Sequence, residues 1–169
     1  MKHVKGCVIF FLGLLLVCGL YAQSQAEKSK YRPSWYQRVS LFQLLPNDKD
    51  EIIFLGDSIT EGCNWSEIFH DKRIKNRGIG GDVTKGVLDR LDEIVESKPL
   101  KVFLMVGIND LAAGKTEKEV VTNIKKIIKS IQRRSAETEI YLQSILPVNS
   151  VFGMFPNFTN KTDEIRAIN

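Results

Sequence analysis

Apolar positions follow two different rhythms along this chain. Unbroken apolar stretches lie within Glu51–Leu55, Lys101–Val106 and Glu139–Leu146, with a shorter one at Ile74-Lys75-Asn76. Short apolar runs bounded by turn residues predict strands buried on both faces. Between them, apolar residues recur three and four apart. Val87, Leu88, Leu91, Ile94 and Val95 predict a helix over Val83–Glu96, and Val120, Ile124, Ile127, Ile128 and Ile131 predict a long one over Thr116–Arg134. A short helix is expected over Gly62–His70 and a last one beginning near Lys161. Upstream, Trp35, Tyr36, Val39, Phe42 and Leu44 give Arg32–Leu45 a helical spacing that Pro46-Asn47-Asp48 ends. Strands alternating with helices predict an α/β fold, a parallel sheet covered on both faces and joined by right-handed crossovers.

The amino end has a different pattern. Lys2 and Lys5 precede an uncharged, mostly apolar run of 15 residues, Gly6–Leu20, and Ala22 follows. This predicts a secretory signal peptide over 1–22 and a secreted or periplasmic protein. As a helix the run would span about 22 Å, short of a hydrocarbon core of about 30 Å, so no stable membrane span is expected after cleavage. A lipoprotein signal ending at Cys18 is disfavoured by the bulk of Val17. Residues 23–50 read as a linker and helix, and 51–169 as the functional domain. A chain of 169 residues, 43% hydrophobic and 26% charged, suits one domain with a sizeable core.

Removing the leader changes the charge and cysteine readings. Without Lys2 and Lys5 the formal net charge falls from +4 to +2, which gives no pointer to nucleic acid. Cys7 and Cys18 leave as well, so Cys63 has no intrachain disulfide partner. His3 and His70 are the only histidines, so no Cys/His metal pattern exists, and no metal or cofactor is expected.

Three loops follow three apolar strands and therefore fall at the carboxyl edge of one sheet, where open α/β folds bind ligands. The first carries Gly56-Asp57-Ser58-Ile59-Thr60, the second Asn76-Arg77-Gly78-Ile79-Gly80-Gly81-Asp82, the third Gly107-Ile108-Asn109-Asp110. Acyl transfer through serine needs a nucleophile and donors where an oxyanion forms. The first loop offers a hydroxyl at the start of a helix, the second a bare glycine N–H, the third an amide NH₂. Each has an ordinary structural reading too. Asp57 or Ser58 can be a helix N-cap, Gly80-Gly81 a tight turn, Asn109-Asp110 a turn and cap, and Asp82 the N-cap of the helix from Val83.

With these three blocks in this order, the chain from about Glu51 to Asn169 resembles the SGNH hydrolases, also called the GDSL esterase/lipase family. The pattern is similar to members like the catalytic subunit of platelet-activating-factor acetylhydrolase and to bacterial carbohydrate acetyl esterases. The resemblance implies a flavodoxin-like three-layer αβα sandwich with a mainly parallel sheet. It implies Ser58 as nucleophile, with the N–H of Ser58, the N–H of Gly81 and the amide of Asn109 as oxyanion hole. Losing one such donor costs about 3–4 kcal/mol of transition-state stabilisation. The implied substrate is a small acyl ester, such as an acetyl group on a carbohydrate.

One block of the family pattern is missing. An aspartate and a histidine three residues apart, near the domain's carboxyl end, would supply the base and its orienter. No histidine follows His70. His70 itself is expected at the far end of the first helix, about 12 Å along its axis and away from the site. The expected fold therefore lacks its last strand and helix, and Glu139–Leu146 is expected as an exposed edge. A fragment of a longer protein is the expected explanation. Two further readings remain. One is a catalytically inert carboxylate- or glycan-binding protein; the other is a phosphate or nucleotide binder, against which stands the absence of Gly-x-Gly-x-x-Gly and Walker spacings. Oligomeric state is not legible.

Overall fold

Side chains on a strand point alternately to opposite faces, and here that alternation divides the molecule in two. The computed structural model describes residues 30–149, 151, 153 and 155–169. The expected leader, and the linker as far as residue 29, lie outside the described residues. In chain order the elements are α1 (Pro33–Leu44), β1 (Ile52–Gly56), α2 (Ser58–Glu61), α3 (Trp65–Ile68), β2 (Ile74–Gly78), α4 (Thr84–Asp89), α5 (Leu91–Glu96), β3 (Lys101–Met105), α6 (Ile108–Ala112), α7 (Glu117–Arg134), β4 (Glu139–Leu142) and α8 (Thr162–Ile168).

The four strands form one parallel sheet in the order β2-β1-β3-β4. Ile53, Leu55, Val102 and Leu104 are fully buried on one face, in a core with Val87, Ile94, Ile127 and Ile131 from α4, α5 and α7 and Ile165 from α8. On the other face Phe54, Phe103 and Tyr141 stack across three strands at 4.8 and 4.7 Å between ring centroids, and Trp65 of α3 stacks on Phe54 at 4.3 Å. The expected α/β sandwich is what forms. Leaving β1 the chain passes to β2 on one side, then to β3 on the other. The order of the strands therefore reverses between β1 and β3, which places the crevice of such a fold beyond their carboxyl ends.

Three elements differ from expectation. The helix expected over Val83–Glu96 is two, meeting at Arg90 (φ −124°, ψ 20°). Arg90 leaves helical geometry where its guanidinium turns into the core to donate to Gly56 O and Arg77 O. The helix expected over Gly62–His70 is replaced by two single turns, one before it begins and one within it. Asn76 of β2 donates its amide to the carbonyls of Thr60, Glu61 and Cys63 and so ends the first of them, α2. β4 stops at Leu142 instead of running to Leu146, because Ile145 is held elsewhere. Its N–H and C=O both bond the Asn169 side chain, at 2.9 and 3.0 Å. β4 is one edge of the sheet, and Tyr141 and Leu142 are 40% and 55% exposed. Among the described residues no helix is long and apolar enough to cross a membrane.

Candidate active site

β1 ends at Gly56, and Ser58 opens α2 one residue beyond Asp57. The Asp57 carboxylate accepts the Ile59 N–H at 3.1 Å and caps this turn. Ser58 is exposed while Asp57 beneath it is buried. Burial pushes the Asp57 carboxyl up to about 6; the Ile59 N–H opposes this, and the carboxylates of Asp82 and Asp110 add to it.

The second loop folds back on the first. Ile79 N–H donates to Gly56 O at 3.1 Å, and Asp82 N–H returns to Ile79 O at 3.0 Å. Gly78 lies so close to α2 that an added Cβ would overlap the Glu61 backbone. Gly81 has φ +70°, and a side chain there would collide with the Arg32 guanidinium. Only glycine fits both positions. The third loop presents Asn109 in α6, whose amide donates to Asp82 O at 2.9 Å. That bond uses one of two amide hydrogens and orients the other. Among the described residues, the N–H groups of Ser58 and Gly81 make no hydrogen bond.

Ser58, Gly81 and Asn109, from three different loops, line one cleft of about 720 Å³. Ile108, Val148, Phe155 and Phe158 give it an apolar wall, and Arg32, Ser34 and Arg38 of the α1 segment form a polar rim. His70 is exposed at the end of the α3 turn, with φ +50°, and does not line the cleft. No cluster of His, Cys, Asp or Glu among the described residues is arranged to hold a metal ion.

Asp82 is not the helix N-cap expected of it; Val83 holds that position. The Asp82 carboxylate turns inward instead. It accepts from Trp35 Nε1 at 3.1 Å, from the Val83 N–H at 3.0 Å and from Arg90 Nε at 2.8 Å. Burial pushes its pKa up while Arg90, Val83 and Trp35 pull it back. The open N–H of α4 is met from another loop: Asp110 accepts the Thr84 N–H at 2.8 Å and its hydroxyl at 2.6 Å. Both carboxylates thus brace the loops that carry Gly81 and Asn109.

The sequence profile of the GDSL-like lipase/acylhydrolase family matches residues 54–169, the greater part of the chain. The chain belongs to this family. Among GDSL-like relatives, the bovine platelet-activating factor acetylhydrolase IB subunit alpha1 is 35% identical over 107 residues, covering 59% of this chain and 45% of the relative. The human subunit alpha2 is 32% identical over 129 residues, covering 72% and 56%. The chain thus spans about half the length of these relatives. A solved structure of a candidate platelet activating factor from Streptococcus pneumonia superposes with a TM-score of 0.67 at 28% identity, covering 93% of this chain and 72% of that one. A GDSL-like lipase from Bacteroides thetaiotaomicron shares the fold, with a TM-score of 0.67 at 21% identity, covering 80% and 69%.

Sequence reasoning missed the ionic frame behind the GDSL loops. Arg90 donates to the carbonyls that end β1 and β2, and Arg77 pairs with Glu93 at 3.1 Å, all of it buried. One signal was present: Arg90 and Glu93 interrupt the apolar stripe of Val87, Leu91 and Ile94.

Proposed function

We propose that this chain carries the acyl-transfer site of an exported serine esterase acting on small acyl esters, with acetyl groups on carbohydrates as the favoured substrate. Ser58 Oγ attacks the ester carbonyl. The oxyanion that develops is received by the N–H of Ser58, the N–H of Gly81 and the free amide hydrogen of Asn109. The alcohol leaves, an acyl-enzyme on Ser58 remains, and water releases the acid. The observation that carries this reading is the meeting of an exposed Ser58 with two unused N–H donors and an oriented amide in one cleft. The apolar wall supports an acyl subsite; the polar rim supports a hydroxylated alcohol group. The apolar run behind two lysines at the amino end supports export. No described histidine lines the cleft, so the proton-accepting base is the one part of the mechanism these residues do not supply.

The test uses the natural gene product from its native host and p-nitrophenyl esters of increasing acyl length, with acetylated sugars alongside. Turnover is expected to be highest for acetyl esters and to vanish in Ser58→Ala. Asn109→Ala should lower kcat by about 10²–10³-fold. Turnover indifferent to Ser58→Ala would refute the reading. That no described histidine lines the cleft favours one second reading, an inert carboxylate- or glycan-binding protein. It predicts ligand affinity that survives Ser58→Ala without any turnover.

A further inference from the structure

Three backbone groups of the Gly78–Gly81 loop are held by charged side chains, and a fourth, the Gly78 N–H, donates to Asn76 Oδ1 at 2.8 Å. Arg38 Nη2 donates to Gly78 O at 3.2 Å, and Arg32 Nη2 donates to Gly80 O. The Gly80 N–H donates to Glu61 Oε2 at 2.7 Å. The other Glu61 oxygen faces Arg38 Nε at 3.2 Å. Arg38 is itself braced, with its guanidinium 4.9 Å from the ring of the buried Phe42.

Glu61 stands in the same short turn as Ser58, and its N–H bonds Asp57 O at 2.9 Å. Its carboxylate thus ties the turn that starts at Ser58 to the residue beside Gly81. Both proposed N–H donors are thereby held in one frame. A bare carboxylate lining this cleft would repel a developing oxyanion. Arg38 neutralises it, and Arg32 adds a positive charge beside Gly81. Both arginines come from the α1 segment, which lies outside the residues matched by the family profile.

Resting on the esterase reading above, we propose that Glu61, paired with Arg38 and bonded to a loop that Arg32 also holds, is a positioning residue that sets the distance between the Ser58 and Gly81 donors. The α1 segment is then part of the catalytic apparatus.

The experiment compares Glu61→Ala, Glu61→Gln and Arg38→Met with wild type in the natural gene product, using p-nitrophenyl acetate turnover and amide hydrogen exchange at Gly80 and Gly81. Glu61→Ala is expected to lower kcat by about 10- to 100-fold, with KM within about twofold. Exchange at Gly80 should rise about tenfold or more. Glu61→Gln keeps an acceptor for Gly80 and should recover part of both. Arg38→Met should reproduce the faster exchange, so the proposal stands or falls even if Glu61→Ala folds poorly. Ser58→Ala should abolish turnover and leave exchange as in wild type. A protein whose turnover ignores Ser58→Ala refutes the esterase reading, while the exchange data still decide the clamp. Unchanged exchange in both Glu61→Ala and Arg38→Met overturns the proposal, and so does faster exchange with kcat intact.

Discussion

Arg90 is the residue on which the carboxyl ends of β1 and β2 converge. Its side chain is fully buried. It bonds Asp82, Gly56 O and Arg77 O, with Glu93 3.9 Å away. Burial lowers the guanidinium's pKa, and Asp82 and Glu93 pull it back up. Removing one partner of such a pair leaves an uncompensated buried charge, worth about 3–5 kcal/mol. Arg90→Met should therefore lower unfolding free energy by that amount in a urea titration. A loss under about 1 kcal/mol would mean the pair only breaks even. Arg90 and Glu93 interrupt the apolar stripe, but nothing in residue type or spacing names the partners they find. An arginine beside an apolar stripe reads equally well as a solvated flank, and only the approach of two strand ends gives it acceptors.

At the scale of elements, α7 shows how much of a helix local sequence can carry. Thr116 accepts the Glu119 N–H while the Glu119 carboxylate accepts the Thr116 N–H, a reciprocal box that starts the helix. Arg133 and Arg134 complement the dipole at its end. Val120, Ile124, Ile127 and Ile131 are buried in the order their spacing predicts. Thr116→Ala should cost about 1 kcal/mol and Ile127→Ala about 2–5 kcal/mol, both measurable by chemical denaturation. If the cap loss equalled the core loss, packing against the sheet would not be what holds α7. The α4–α5 break and the end of α2 behave differently. They are set by Arg90 and Asn76, side chains whose partners lie 13 to 34 positions away in sequence.

For the whole molecule, buried carboxylates make stability depend on pH. Asp57 is pushed from 3.8 to about 6, first by burial. Burial also raises Asp82, Glu93 and Asp110. A carboxyl whose folded pKa lies above its unfolded value favours the fold when protonated. For Asp57 that contribution is fully present below about pH 4 and is lost as pH rises through about 6. Asp89 acts in the opposite sense. Its ionised form, held near 2 by Lys30, Lys85 and Tyr31 against its own desolvation, stabilises above about pH 4 and is lost as pH falls toward 2. Between pH 7.5 and 5 the Asp57 contribution should add about 1 kcal/mol of stability. Asp57→Asn keeps an acceptor for Ile59 and should flatten that slope. A melting temperature that falls on acidification from 7.5 to 5, unaltered by Asp57→Asn, would contradict this account.

Local sequence by itself determined the parts of this protein that depend on near neighbours. Apolar runs made β1 and β3, three-and-four spacing made α7, and the two glycines at 80 and 81 shaped the loop after β2. Ser58, Gly81 and Asn109 could be picked out because each sits directly after a strand, and parallel strands bring their carboxyl ends to one edge. Only the tertiary structure decided what holds that edge together. Asp82 reads as a cap, yet it faces Arg90 and Trp35; Asp110 reads as a turn residue, yet it caps α4 across 26 positions. Glu61 carries no local mark in the sequence, yet it holds the Gly80 N–H. A polar side chain bonds whatever acceptor or donor the packing brings within about 3 Å, and packing between distant segments leaves no period in the sequence.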